Sequence, residues 1–160
     1  PDRSMGAVLV RAFLFFSIGF VAAYMVSAFV FGIWRKGGAA ANGTLIENAA
    51  FTAYVLLVTA VPAAFGFAVV TSPWPAFREL SSRAVAWISG AGGVATYFAQ
   101  LTGVAAVLYV VPLPAALGPI GAALRMLLPG MGAGAAAMFA IAFVRAARSR
   151  TTRPAGPSSG

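Results

Sequence analysis

Four long apolar runs, separated by short polar breaks, make up most of the chain. They extend over about residues 7–34, 45–70, 85–111 and 130–147. A helix needs about 20 apolar residues to cross a bilayer, and the first three runs reach that length. The fourth is shorter, and the stretch before it is the natural extension. The pattern predicts an all-α integral membrane protein with four transmembrane helices and short interfacial segments.

The breaks carry helix punctuation. In "RKGGAAANGT" the chain turns, and Thr44 and Glu47 then fit a capping box, T-L-I-E. In "TSPWPAFRELSSR" Ser72 is placed to cap and Pro73 to open a short surface helix. Trp74 and Phe77 are then expected at the lipid headgroups, and Glu79 beside Arg83 four residues on. Residues 1–147 read as one transmembrane unit. Residues 148–160 are basic, then rich in Pro, Gly and Ser, and read as a disordered tail.

The stretch "PLPAALGPIGAALRMLLPGMGAGAAAMF", Pro112 to Phe139, is harder to place. Each proline removes a backbone donor, so Pro112 to Pro119 reads as the turn leaving the third span. "IGAALRMLL" is then expected along the interface, with Arg125 reaching out to headgroups, and Pro129 starts the last span. The competing reading is a discontinuous helix around a transport site, which needs a polar lining. "GPIGAALRMLL" also resembles the Gly-rich, Arg-containing opening of small fluoride channels. There it begins the first span and polar pore residues follow; here it precedes the last span without them, so no site is carried over.

Composition agrees with a membrane protein: 61% of residues are hydrophobic and 9% charged, against about one quarter charged in soluble domains. The net charge of +8 gathers at the ends of apolar runs. With four spans, Arg3, Arg11, Arg78, Arg83, Arg145, Arg148, Arg150 and Arg153 share one side. Arg35, Lys36 and Arg125 fall on the other. The excess of basic residues predicts both termini on the cytoplasmic side of a bacterial inner membrane, or the equivalent side of an organellar one. Trp34, Trp74 and Trp87 lie near expected interfaces, as an aromatic belt requires. The start "PDRSMGAVLV" has no small-residue cleavage site after a short apolar core, so the first run is read as a span.

The chain has no Cys and no His, which removes disulfides, the usual zinc sites and haem held by those residues. Its acids, Asp2, Glu47 and Glu79, fall outside the expected membrane cores and form no catalytic constellation. No enzyme activity, metal or nucleic-acid partner is expected. "NGT" at Asn42 is a glycosylation pattern common by chance.

Small residues recur every four positions on each span: Gly19, Ala23 and Ser27; Ala60, Ala64 and Ala68; Ala91, Ala95, Ala99 and Gly103; Gly132, Ala136 and Ala140. Such ridges let helix backbones approach closely where lipid supplies no hydrophobic force. Ala91, Ala95, Ala99 and Gly103, with Gly19, Ala23 and Ser27, are the predicted partner-helix surfaces. The first span also has an aromatic face of Phe13, Phe16, Phe20, Tyr24 and Phe31. It reads as contact with lipid or a neighbouring helix; Phe13, Phe16, Phe20 and Tyr24, with Trp74 and Arg125, are the predicted lipid or hydrophobic-ligand contacts. No cofactor is predicted; a lipid, quinone or carotenoid is what such a face could hold. The polar groups of note within the spans are Thr52, Thr59, Thr96, Tyr97, Gln100 and Thr102, and Gln100 is expected to bond a neighbouring helix.

The expected function is a non-catalytic accessory subunit of a larger membrane complex, an energy-transducing one being a plausible host. Its expected partners are other transmembrane subunits and anionic lipid headgroups. A small oligomeric transporter or channel component is the alternative.

Overall fold

The structure is a computed structural model that describes residues 4–34, 45–101 and 118–151. Among these residues there are helices and no strands: α1 (Met5–Trp34), α2 (Leu45–Thr71), α3 (Pro75–Arg78), α4 (Ser82–Ala99) and α5 (Gly118–Thr151). Met5–Val30 and Gly118–Arg150 are long and apolar enough to cross a membrane. A shorter apolar stretch, Leu56–Thr71, lies within α2.

α1 packs along α4, and α2 along α5. Both pairs run parallel. Phe16 meets Gly93 and Phe20 meets Tyr97, so position rises together on α1 and α4. Ala63 meets Gly130 and Val70 meets Gly134 on the other pair. The two pairs oppose each other. Arg145, near the end of α5, bonds Ala76 and Glu79, just before α4 begins.

Glycine sets the distance within each pair. A β-carbon on Gly19 would collide with the backbone of Gly90, whose carbonyl carbon would be 2.8 Å away. About one turn on, a β-carbon on Gly93 would strike the backbone of Phe16 and lie 2.8 Å from the Phe20 nitrogen. Between α2 and α5 the same holds for Gly130, which sits on Ala63, and for Gly66, where an added β-carbon would lie 2.5 Å from the Leu127 carbonyl oxygen. These are backbone-to-backbone contacts, the kind that small residues permit in a membrane. Aromatic rings fill the space beside them. Phe16 stacks near Phe67 with ring centres 4.9 Å apart, and Tyr97 receives Phe20 and Tyr24 edge-on at 5.5 and 6.1 Å. Aromatic pairs favour such tilted and edge-to-face arrangements.

Five local expectations are corrected. Pro129 does not start a span: Gly118–Thr151 is one helix of 34 residues with Pro129 inside it, so "IGAALRMLL" is its first part and not a separate interfacial helix. A proline inside a helix lacks one donor and clashes one turn back. In an apolar surrounding the neighbouring backbone groups have no partner but the helix itself, so the helix continues. Pro62 sits in α2 in the same way. Pro119 lies in the first turn of α5, where a missing donor costs least, after Gly118 at φ 42°. Because α5 extends through Thr151, residues 148–151 are helical and not part of a tail.

The short surface helix starts one turn-forming residue pair later than expected. Ser72 is buried and follows directly on α2, so it does not cap α3; Trp74 is the cap residue and Pro75 takes the first helical position. Phe77 is not at the headgroups: it is fully buried, with its ring 6.4 Å from that of Phe67. Glu79 pairs with Arg145 at 3.0 Å in place of Arg83. The capping box at Thr44, Asn42, Thr102, Gly103, the turn before Gly118 and the tail after Thr151 lie outside the described residues.

Candidate functional site: the outward faces of α4 and α5

Buried positions on α1 are Val8, Ala12, Phe16, Gly19, Phe20, Ala23 and Ser27. The predicted ridge Gly19–Ala23–Ser27 therefore lies inside the molecule, and so do Phe16 and Phe20. Those two rings, 0% and 2% exposed, face helices α2 and α4 and not lipid. Phe13 and Tyr24 flank them, partly buried. Phe16, Phe20 and Tyr24 of the aromatic face thus meet neighbouring helices, while the side chain of Phe31 lies outside the described residues. On α2 the ridge Ala60–Ala64–Ala68 is buried as well. The outward surfaces of these two helices are bulky: Leu14, Ile18, Met25 and Phe29 on α1, and Leu57, Val61, Phe65 and Val69 on α2.

α4 and α5 are built differently. The buried stripe of α4 is Val85, Ser89, Gly93, Thr96 and Tyr97. Ala91 and Ala95 are exposed and Ala99 is half-buried. They stand two residues from Ser89, Gly93 and Tyr97, or roughly 200° around a helix, on the opposite face. On α5 Gly130, Gly134 and Met138 are buried, and Gly130 and Gly134 face α2. Gly132, Ala136 and Ala140 are again two residues out of step, and all three are exposed. A β-carbon on Gly132 would meet nothing within 4 Å. Each of these helices has small residues on two opposite faces, one used and one open.

The α4 ridge borders an outer groove between α1 and α4 with a volume of about 630 Å³. Phe15 and Ile18 of α1 form one wall, Trp87 and Val94 of α4 the other, and Gly19 and Gly90 the floor. Ala91 and Ala95 complete the α4 side, and Arg83 lies on its lining near the start of α4. Ser81 caps this helix by accepting the Ala84 amide at 3.2 Å, a device visible in "SSR" but not singled out from sequence.

Two threonines serve their own backbone. Thr96 donates to the Gly92 carbonyl at 2.7 Å and Thr71 to Phe67 at 2.9 Å. The Gln100 amide nitrogen and the hydroxyls of Ser17, Ser72 and Ser89 are buried with no hydrogen-bond partner among the described residues. Ser89 lies within α4 and Gln100 just after its end, Ser17 is on α1 and Ser72 just after α2, and none of them lines a described hollow. Trp74 is half exposed beside α3, and Arg125 is half-buried in the first part of α5. Neither is brought to the groove. Among the described residues no three acidic side chains gather where they could hold a metal.

No protein-family model matches the chain, and no curated protein or solved structure matches it.

Proposed function

We propose that the chain is a non-catalytic accessory subunit of a larger membrane protein complex. In this reading α1, α2, α4 and α5 all cross the membrane, both termini lie on the cytoplasmic side, and the chain contributes packing surfaces and lipid contacts. An energy-transducing complex would be a suitable host. The observation that carries the proposal is the second, outward ridge of small residues on α5. A helix facing only lipid has no need of Gly132, Ala136 and Ala140 in register, whereas a helix packing on another helix does. The bulky outward faces of α1 and α2 suit lipid.

The test is affinity purification of the full chain, in mild detergent, from the membrane that expresses it. A distinct transmembrane polypeptide should co-elute with the wild type and be lost with Ala136→Leu, while that variant stays inserted. Elution only with further copies of itself, together with transport activity, would favour the oligomeric transporter instead. A wild-type monomer that transports alone would overturn the accessory reading.

A further inference from the structure

The groove between α1 and α4 carries more information than an open apolar face. α1 and α4 touch through backbone at Gly19 and Gly90, so the trough above that contact lies between two helices at minimum separation. A helix with side chains is about 10–12 Å across, too broad to reach such a floor, whereas a single hydrocarbon chain can. The walls are apolar, and Trp87, 79% exposed, stands along one of them. One charged residue lines the groove: Arg83, at the end where α4 begins. The nearest acid in sequence, Glu79, is held by Arg145. Phe15 also lines a second hollow, of about 460 Å³, that contains Arg11. Apolar length with cationic groups at one end is the complement of an amphiphile with an anionic head.

We propose that this groove is a binding site for an anionic phospholipid, with one acyl chain laid along Gly19 and Gly90 between the Phe15–Ile18 and Trp87–Val94 walls, and with its phosphate at the Arg83 end near Arg11. This rests on the membrane-spanning reading above and deepens it. The two outward ridges are divided: the α4 ridge meets lipid and the α5 ridge meets protein.

The test uses the full chain with Trp34→Phe and Trp74→Phe, so that Trp87 alone reports. The protein is placed in phosphatidylcholine vesicles containing a small fraction of either brominated phosphatidylglycerol or brominated phosphatidylcholine. Trp87 should be quenched at lower mole fraction by the anionic lipid. Arg83→Gln should lower that preference about fivefold, the weight of one basic side chain at an anionic surface. Arg148→Gln/Arg150→Gln, at the end of α5, should leave it unchanged. Native mass spectrometry of the unaltered chain and of Arg83→Gln in mixed lipid gives the same comparison without replacing tryptophans. Equal quenching by both lipids, or an equal loss in the Arg148/Arg150 control, would overturn the site. So would shielding of Trp87 from both lipids in the purified complex, which would put a partner helix in the groove. None of these results decides whether Ala136 meets a partner, so failure of the lipid site and failure of the accessory reading are told apart.

Discussion

The first two long helices and the last two use small residues in opposite ways. On α1 and α2 one ridge of small residues is buried, and Leu14, Ile18, Met25 and Phe29 of α1 and Leu57, Val61, Phe65 and Val69 of α2 point outward. On α4 and α5 a small ridge is buried against the first pair while a second ridge, roughly 200° away, stays open. The first pair therefore has one small-residue ridge per helix, buried, and the second pair carries a further ridge per helix that is open. In a bilayer this difference matters more than hydrophobicity does, because lipid tails satisfy apolar surface as well as protein does and only close backbone approach distinguishes a protein neighbour.

The comparison breaks most visibly at Gly130. Gly130→Leu would drive a side chain into Ala63, whose carbonyl carbon and Cα would lie 2.6 and 2.7 Å from the new β-carbon. Backbone cannot yield as a flexible side chain can, so the cost should reach or exceed the top of the roughly 1–3 kcal/mol range for overpacking. Loss of the folded monomer in detergent, followed by thermal or denaturant unfolding, is the expected result. Gly93→Leu should act alike on the α1–α4 pair. Next in size is Phe16→Ala. Truncating a buried Phe costs about 3–5 kcal/mol in soluble cores. Here the value should fall to roughly 2–3 kcal/mol, because lipid replaces part of the lost contact on unfolding and mainly the cavity beside Phe67 remains. The same unfolding assay measures it.

Smaller effects sharpen the contrast. Glu79→Gln removes an ion pair whose side chains are 64% and 47% exposed, so it should cost no more than about 1 kcal/mol and lose even that at high salt. Arg145→Gln should cost more than Glu79→Gln, since Arg145 also donates to the Ala76 carbonyl at 3.2 Å. At the bottom of the scale is Gly132→Ala. It lies two residues from Gly130, yet it should leave the isolated chain as stable as before or raise its stability by up to about 1 kcal/mol through helix propensity. Equal destabilisation by Gly130→Leu and Gly132→Leu would erase the distinction between used and open ridges.

Much of this arrangement is legible in the sequence, and the illegible part has a physical cause. The helical class and the positions of α1 and α2 follow from apolar length; Gly19, Ala23 and Ser27 mark a close-packing ridge, but their spacing suits a partner helix as well as the α4 of the same chain that Gly19 meets. The phase of α4 does not follow from apolar length. Ser89, Gly93 and Tyr97 recur every four residues just as Ala91, Ala95 and Ala99 do, and spacing alone cannot say which set turns inward. The structure chooses the set with Gly93, because only glycine lets the Phe16 backbone approach. On α5 the inward face has glycine at two successive turns, Gly130 and Gly134, where the open face has Gly132 and then Ala136. Pro129 misleads from sequence because its effect depends on surroundings. Beside water it would end a helix; within an apolar stretch the helix crosses it. The groove is invisible in sequence, since Arg83 and Phe15 are brought together only by the pairing of α1 with α4. The Glu79–Arg145 bond is missed for a similar reason, a sequence separation of 66 residues.

The central claim is that the open ridge of α5 faces protein while the bulky outward faces of α1 and α2 face lipid. Photo-crosslinking in the intact membrane tests it most directly, with a photoreactive residue introduced singly at Ala136 of α5, Leu57 of α2 and Met25 of α1. The account predicts a discrete crosslinked product with a second membrane polypeptide from Ala136, and lipid adducts alone from Leu57 and Met25. Protein crosslinks from Leu57 or Met25 with none from Ala136 would contradict it.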